Sequence, residues 1–292
     1  MTTEKTSPLA SIASAREIIA AYNLQAKKSF GQNFLINDAI VKKTVALAGV
    51  QPGDYVTEIG PGFGTLTVAL VRLGANVLAV EKDVKMINAL VDNLERYCPE
   101  GKDHIDILRR DALKIDFGSY FRKLKGAPVK MVSNLPYNVA APIVITYFQN
   151  LENMTDATVM VQKEIAQRMA ASPGNKNYGA YTVKLAMYAD CIDSFDVSRN
   201  NFIPAPRVDS TVIKLVRHNR IKTAVAKKAC LVADAAFAHR RKTISNSVKE
   251  FFCDDTIMCE KVFKAAQMAR VDLSLRAENL DPEHFVQIAL SL

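Results

Sequence analysis

Glycines are concentrated in one short segment that directly follows an apolar, β-rich stretch. The predicted strand Asp54–Ile59 runs into Gly60, Gly62 and Gly64, and a helical pattern begins immediately after them. A glycine-rich turn between a strand and a helix lets a ligand approach the backbone closely, at the carboxyl edge of the sheet. A dinucleotide-binding turn, G-x-G-x-x-G, would need a glycine where the chain has Thr65. The segment therefore predicts a ligand site that is not built for a dinucleotide.

Two acidic residues at the ends of the next predicted strands extend this site. Glu81 ends the second strand, where a carboxylate can accept from both hydroxyls of a ribose. Asp111 follows the third strand and is placed to accept from an adenine amino group. The E-x-G-x-G-x-G spacing of Glu58–Gly64 resembles the loop of class I S-adenosylmethionine (AdoMet) methyltransferases. Each feature alone is ordinary, but their placement at successive strand ends favours a nucleoside cofactor.

The fourth predicted strand runs into Asn134, Leu135, Pro136 and Tyr137. This segment resembles the (D/N/S)-P-P-Y motif of amino-group methyltransferases, with Leu135 in place of the first proline. An adenine amine is a poor nucleophile because its lone pair is delocalised into the ring. The Asn134 side-chain oxygen and the Leu135 carbonyl can accept its N–H groups, while Pro136 stiffens the turn. Tyr137 can stack its ring on the purine, so we predict catalysis by positioning and electrostatics.

The elements that must position these residues alternate along the chain between apolar, β-rich runs and segments of helical period. The predicted strands are Asp54–Ile59, Ala75–Val80, His104–Leu108, Val129–Ser133, Ala157–Gln162, Cys191–Val197 and Ser210–Val216. This alternation predicts an α/β fold with a parallel sheet covered by helices on both faces.

The strand signal stops after about His218, and the remaining residues follow helical patterns with an apolar stripe. We therefore place a domain boundary at 217–219, between an α/β domain of residues 1–217 and a small all-helical domain of residues 218–292. Residues 1–23 are expected to be a flexible or helical N-terminal extension.

Composition excludes several classes of protein. The chain has 292 residues, of which 49% are hydrophobic and 23% charged, so it is neither disordered nor fibrous. No apolar run is long enough for a membrane span, and the charged first 22 residues predict no signal peptide. The five cysteines form no CxxC pair, and no histidine lies at zinc-like spacing from them. We expect reduced thiols, no metal and a cytoplasmic protein.

The motifs taken together resemble those of the ribosomal RNA adenine N6-dimethyltransferases, from about residue 24 to the C-terminus. Besides the segments above, the matching stretches are Lys27–Leu35, Gln162–Glu164, Tyr178–Gly179, Phe202–Ser210, Phe237–Thr243 and Arg276–Leu280. The resemblance implies a class I AdoMet-methyltransferase (Rossmann-like) fold, a seven-stranded sheet with a small C-terminal all-helical domain. It also implies AdoMet as the cofactor.

The resemblance further assigns roles to individual residues. It implies that the cofactor is bound by Gln32, Asn33, Leu35, Gly60, Gly62, Glu81, Asp111 and Asn134. It implies that Phe202 packs the target adenine opposite Tyr137. The implied substrate is a pair of adjacent adenosines in a hairpin loop near the 3′ end of small-subunit rRNA, each receiving two methyl groups. The implied partner is the small ribosomal subunit, and we expect a monomer.

The net charge of +8 is carried mostly by one segment. Between residues 220 and 250, eight lysines and arginines stand against one aspartate and one glutamate. Such a cluster is often only a solvated helix face, but in a chain with a nucleobase-modifying site it favours contacts with RNA phosphates. We predict these contacts for Arg240, Arg241 and Lys242, and also for Lys27 and Lys28.

Four alternatives remain open on these residues. The macrolide-resistance methyltransferases, which act on large-subunit rRNA adenine, share the N-L-P-Y and F-x-P-x-P patterns, although the R-R-K-T run and the R-A-E-x-L tail weigh against them. DNA adenine and glutamine-amide methyltransferases more often have D-P-P-Y or N-P-P-Y. A ribosome assembly factor would depend on RNA binding more than on methylation. A nicotinamide oxidoreductase is disfavoured by Thr65.

Overall fold

A computed structural model of the protein describes residues 6–24, 33–120 and 127–292. The chain divides into two compact units. The first comprises Met1–Lys163 and Ile192–Val216, and the second comprises Glu164–Cys191 and Arg217–Leu292. The second unit thus includes residues 164–191 together with the C-terminal helices. The domain boundary that the sequence places at 217–219 stays a prediction.

The strands are β1 (Phe34–Leu35), β2 (Tyr55–Ile59), β3 (Asn76–Glu81), β4 (Ile105–Arg109), β5 (Val129–Asn134), β6 (Met154–Gln162), β7 (Ala189–Val197), β8 (Phe202–Ile203) and β9 (Ser210–Arg217). The helices are α1 (Ile12–Ala21), α2 (Asp38–Ala48), α3 (Thr65–Arg72), α4 (Val84–Tyr97), α5 (Phe117–Tyr120), α6 (Ala140–Asn150), α7 (Lys163–Met169), α8 (Ala180–Ala186), α9 (Thr223–Phe237), α10 (Ile244–Phe251), α11 (Thr256–Met268) and α12 (Pro282–Ser291). Short 3-10 turns lie at Pro99–His104, Ala112–Lys114, Arg199–Asn201 and Ala277–Asn279.

Seven strands form one sheet in the order β4-β3-β2-β5-β6-β9-β7. The pairs from β4 to β6 are parallel, and β9 runs antiparallel to β6. In β6 six consecutive residues, Asp156–Val161, are buried, which is typical of a strand covered on both faces. The prediction of an α/β, seven-stranded Rossmann-like fold is confirmed, and each predicted strand is present within a few residues of its expected bounds.

Local sequence explains where the helices beside the site begin and end. Helix α2 begins after Asn37, whose side chain accepts a hydrogen bond from the N–H of Ala39, and it ends at the left-handed Gly49. Helix α4 begins after Asp83, whose carboxylate accepts from the N–H of Lys85. Both starts are N-caps that satisfy a backbone donor left free by the first turn.

The sequence patterns do not predict the two short strands. β1 and β8 form a separate antiparallel pair, with Leu35 opposite Phe202. The pair is extended by the N–H of Ile36, which donates to the Asn201 carbonyl, and by Asn37 Nδ2, which donates to Asn201 Oδ1. Two residues are too few to show a period, so only the assembled chain defines these strands.

The N-terminal segment contains one helix within its described residues, α1. Leu9, which precedes α1, and Ala15, within it, are fully buried in the main hydrophobic cluster. The backbone N–H of Ser7 donates to the carboxylate of Asp38 over 2.7 Å. The described part of this segment thus contains a packed helix, and the prediction of a flexible or helical extension over residues 1–23 stays a prediction.

The second unit is helical apart from the beginning of β7 and is organised around α9, which packs against α8, α10 and α12. Several alanines on α9 are buried, and small side chains let neighbouring helices approach closely. The ring of Phe237 lies between the rings of Tyr178 and Phe285, with centroid distances of 5.9 and 6.0 Å. In the described part of the chain, no helix is long and apolar enough to cross a membrane.

Candidate functional site

A cavity lies where β2, β3, β4 and β5 end, at the carboxyl edge of the sheet. It brings together most of the residues that the sequence predicts for one site. The predicted residues that line it are Asn33, Leu35, Gly60, Gly62, Glu81, Asp111, Asn134, Leu135, Pro136 and Tyr137. This edge is where open parallel sheets bind their ligands.

The glycine turn leaves backbone exposed to the cavity. Gly60 and Gly62 adopt φ values of +67° and +59°, in the left-handed region that residues with a Cβ atom rarely enter. A Cβ atom on Gly62 would lie 3.4 Å from Cε1 of Phe34, a van der Waals contact. Substitution there would strain the turn because of its positive φ.

The carboxylate of Glu81 is held by the backbone that follows it. Glu81 Oε1 accepts from the N–H groups of Lys82 and Asp83, over 2.8 and 2.9 Å. The side chain is 8% exposed. Burial raises the pKa of Glu81, and the backbone hydrogen bonds, including one from Gly62, oppose that rise. The result is an oriented acidic group at the end of β3, which fits the predicted contact with ribose hydroxyls.

Glu58 is a site residue to which the sequence reasoning assigns no role. It lines the cavity, is 1% exposed, and its Oε2 has no hydrogen-bond partner in the described part of the chain. Burial raises the pKa of Glu58 to about 8, the nearby Thr67 hydroxyl opposes the rise, and the charge of Glu81 adds to it. The sequence signal for Glu58 is the acidic first position of the E-x-G-x-G-x-G pattern, because that position is the second-last residue of β2, beside the glycine turn.

The Asn134 side chain is oriented by the main chain of a distant segment. Asn134 Nδ2 donates to the Asn33 carbonyl over 3.2 Å, and among the described residues no donor is bonded to the amide oxygen. The N–H of Leu135 donates to the Met160 carbonyl over 3.1 Å. Proline has no N–H and could not make this bond, which gives a structural reason for leucine at the first proline position of the motif.

Tyr137 and Asp111 complete the polar lining. Tyr137 Oη shares a hydrogen bond with Ser210 Oγ over 2.5 Å, and burial raises the pKa of the Tyr137 phenol. Asp111 Oδ1 accepts from the N–H of Leu113 over 3.0 Å, which holds the carboxylate at the start of a 3-10 turn. Burial raises the pKa of Tyr147, and the negative charge of Asp111 raises it further.

Phe202 is not among the residues that line this cavity. Its side chain is 3% exposed and belongs to the main hydrophobic cluster. The structure places it in β8, paired with Leu35 of β1, and its expected contact with the target adenine stays a prediction. Gln32, Lys27 and Lys28 lie outside the residues that the structure describes.

The predicted RNA-binding residues of the second unit differ in their surroundings. Arg240 Nη2 donates to the carbonyls of Lys176 and Tyr178 over 2.6 and 3.0 Å, and its Nε lies 3.9 Å from Glu278. Lys242 Nζ lies 2.7 Å from both carboxylate oxygens of Glu250. Arg241 is exposed, and it has no such partner within the described ranges.

Among the described residues, no cluster of histidine, cysteine or carboxylate side chains could hold a metal ion.

The comparisons with known proteins agree on one family. A family model described as ribosomal RNA adenine dimethylase matches residues 23–292. The chain is 37% identical over 274 residues to ribosomal RNA small subunit methyltransferase A of Magnetococcus marinus, covering 93% of this chain and 94% of that one. It is 36% identical to the protein of the same name from Leuconostoc mesenteroides, covering 94% and 92%.

Solved structures share the fold. A dimethyladenosine transferase from Plasmodium falciparum superposes with a TM-score of 0.71 and 24% identity, over 87% of this chain and 95% of that one. The 23S rRNA methyltransferase ErmE superposes with a TM-score of 0.62 and 21% identity, over 89% and 99%.

Proposed function

The chain belongs to the ribosomal RNA adenine dimethylase family, and from this premise we propose that its substrate is small-subunit rRNA. The protein is an rRNA adenine dimethyltransferase. We infer that it transfers two methyl groups from AdoMet to each N6 of two adjacent adenosines in a hairpin loop near the 3′ end of that rRNA. The relatives that share more than a third of its residues are named for the small subunit, which supports this choice of substrate.

The cavity residues fit AdoMet as the cofactor. AdoMet carries hydroxyl and ammonium donors, and the cavity contains two buried carboxyl groups, of Glu58 and Glu81, that can accept hydrogen bonds from such donors. Glu58 Oε2 lacks a partner in the described part of the chain, and a buried acceptor of this kind is stabilised by a donor that arrives with a ligand. Glu81 would hold the ribose hydroxyls, and Asp111 the adenine amine of the cofactor. Gly60 and Gly62 would leave room for the rest of the molecule.

The N-L-P-Y segment would position the target amine. The Asn134 oxygen, left free because its Nδ2 is bonded to the Asn33 carbonyl, accepts one N–H of the amine. The Leu135 carbonyl accepts the other. Two such bonds favour a pyramidal nitrogen whose lone pair is directed at the methyl group. AdoMet, when bound, supplies that methyl on a cationic leaving group, so no strong base is needed beforehand and catalysis is mainly positioning.

One observation carries this proposal: the asparagine amide at the cavity is already oriented with its oxygen available. Gly60, Glu81 and Asp111, which would bind the cofactor, lie at the ends of neighbouring strands and line the same cavity. The expected partner is the small ribosomal subunit, and we expect the protein to act as a monomer in the cytoplasm. RNA phosphates would be contacted from the basic second unit, including Arg241.

The direct test is transfer of labelled methyl groups to purified, unmethylated small subunits, with large subunits as the comparison. We expect label in small-subunit rRNA, as dimethyladenosine at two neighbouring positions. Label in large subunits alone would instead support the macrolide-resistance type of activity. Binding to small subunits without any transfer would support an assembly factor.

A further inference from the structure

The ring of Tyr137 is anchored at two points. One is the backbone of the N-L-P-Y segment, which begins at the last residue of β5. The other is its hydroxyl, which lies 2.5 Å from Ser210 Oγ. The two residues are far apart in the sequence, and both belong to the first unit.

Ser210 is a rigid support for this contact. Its side chain is 0% exposed, and it lies opposite Gln162 in the antiparallel pairing of β6 with β9. Because β9 is hydrogen-bonded to β6, the backbone of Ser210 is held in place, and its hydroxyl is a fixed hydrogen-bond partner for Tyr137. The next residue, Thr211, makes a separate hydrogen bond that does not involve Tyr137, from its own hydroxyl to Asp196 Oδ1 over 2.7 Å.

The two hydroxyls depend on each other. In the described part of the chain, neither has another hydrogen-bond partner, and a buried hydroxyl without a partner is costly. Because burial raises the pKa of Tyr137, the phenol keeps its proton and the pair stays neutral. Stacking on a purine uses only the ring, so the hydroxyl is free to serve as the anchor.

We propose that Ser210 is a positioning residue that holds the Tyr137 ring in the plane on which the target adenine stacks. The proposal rests on the proposed function, because it assigns Tyr137 to the base. Ser210 acts through Tyr137 and does not contact the substrate. Its hydroxyl restricts rotation of the ring about the side-chain bonds, so the amine is presented to Asn134 in one orientation.

The test is a double-mutant cycle on turnover, measured as a single round of methyl transfer at saturating AdoMet and small subunits. Ser210→Ala and Tyr137→Phe should each lower turnover about two- to tenfold, the effect of one neutral hydrogen bond. The KM for AdoMet should not change. The double variant should be no slower than either single variant, because both changes remove the same contact.

Thr211→Val is the matched control. It removes the neighbouring hydroxyl and its hydrogen bond on the same strand while keeping the side-chain shape, and it should leave turnover unchanged. If Ser210→Ala does not fold, Tyr137→Phe alone decides, because it deletes the same bond from the less buried residue of the pair. Wild-type turnover in Tyr137→Phe, or additive losses in the cycle, would overturn the positioning role.

Failure of the proposed function gives a different result. If the wild-type protein methylates large subunits and not small ones, the substrate assignment is wrong, and the same cycle is then measured on large subunits. If the wild-type protein transfers no methyl group to either, the proposed function and the positioning role both fail. If the wild-type protein methylates small subunits, the double-mutant cycle tests the positioning role of Ser210 independently of the substrate assignment.

Discussion

The side-chain amide of Asn134 donates to the main-chain carbonyl of Asn33, with 3.2 Å between Nδ2 and O. This bond joins the end of β5 to the residue that precedes β1. Its consequence is chemical, because an amide that donates through nitrogen on one side presents its oxygen on the other. A main-chain partner also makes the orientation independent of any side-chain rotamer at position 33.

Asn134→Ala should therefore lower methyl transfer more than any other single change in the site. We expect a loss on the order of 10²-fold in turnover, the effect of deleting one preorganised transition-state hydrogen-bonding group. The measurement is single-turnover methylation of small subunits at saturating AdoMet. Asn150→Ala is the control, since Asn150 also bonds a main-chain carbonyl through Nδ2, that of Thr146, but it is exposed on α6. Near-normal rates for Asn134→Ala would show that the segment is a structural turn.

Glu81→Ala should weaken AdoMet binding and leave the fold intact. The carboxylate is oriented by the N–H groups of Lys82 and Asp83, so its removal deletes the predicted ribose contact without a large cavity in the core. Titration calorimetry with AdoMet measures the effect, and circular dichroism monitors the fold. Glu95→Ala changes an exposed glutamate on α4 and should bind like the wild type. Equal affinity in the two variants would remove Glu81 from the site.

Glu58 should make the stability of the AdoMet-free protein depend on pH. Burial raises its folded-state pKa from 4.5 to about 8, so the folded protein holds a proton that the unfolded chain releases. The contribution to stability is fully present below pH 4.5 and is lost as pH rises toward 8. Glu58→Gln should flatten this fall in melting temperature, because the amide stays neutral throughout. The exposed Glu152→Gln should keep the wild-type slope, and a Glu58→Gln curve parallel to wild type would contradict the prediction.

Arg240 and Arg241 should have separate effects although they are adjacent. Arg240 donates to the Lys176 and Tyr178 carbonyls, so Arg240→Ala should lower the free energy of unfolding by about 1–2 kcal/mol. Arg241→Ala should leave that free energy unchanged and reduce the salt dependence of RNA binding by about one slope unit for one lost phosphate contact. Denaturant unfolding and binding titrations at several salt concentrations test both. An unchanged slope in Arg241→Ala would mean that its guanidinium is only solvated.

The fold and most of the cavity could be predicted from the sequence because their signals are local. Each strand of the sheet has its own apolar run, and helices such as α2 and α4 have their own N-cap residues. Since parallel strands end at one edge, residues directly after them meet there. Gly60, Glu81, Asp111 and Asn134 are therefore predicted together, and the cavity brings them together.

Only the tertiary structure decided the contacts between segments that are far apart in the chain. Nothing near Tyr137 indicates that its hydroxyl binds Ser210, and nothing near Arg240 indicates that it bonds the carbonyls of Lys176 and Tyr178. Phe202 has the same residue type whether it faces a ligand or the core, and its position is set by the pairing of β8 with β1. The physical reason is that a pattern within one segment specifies a secondary structure and its buried face. A hydrogen-bond partner is specified only when packing brings two distant segments within about 3 Å of each other.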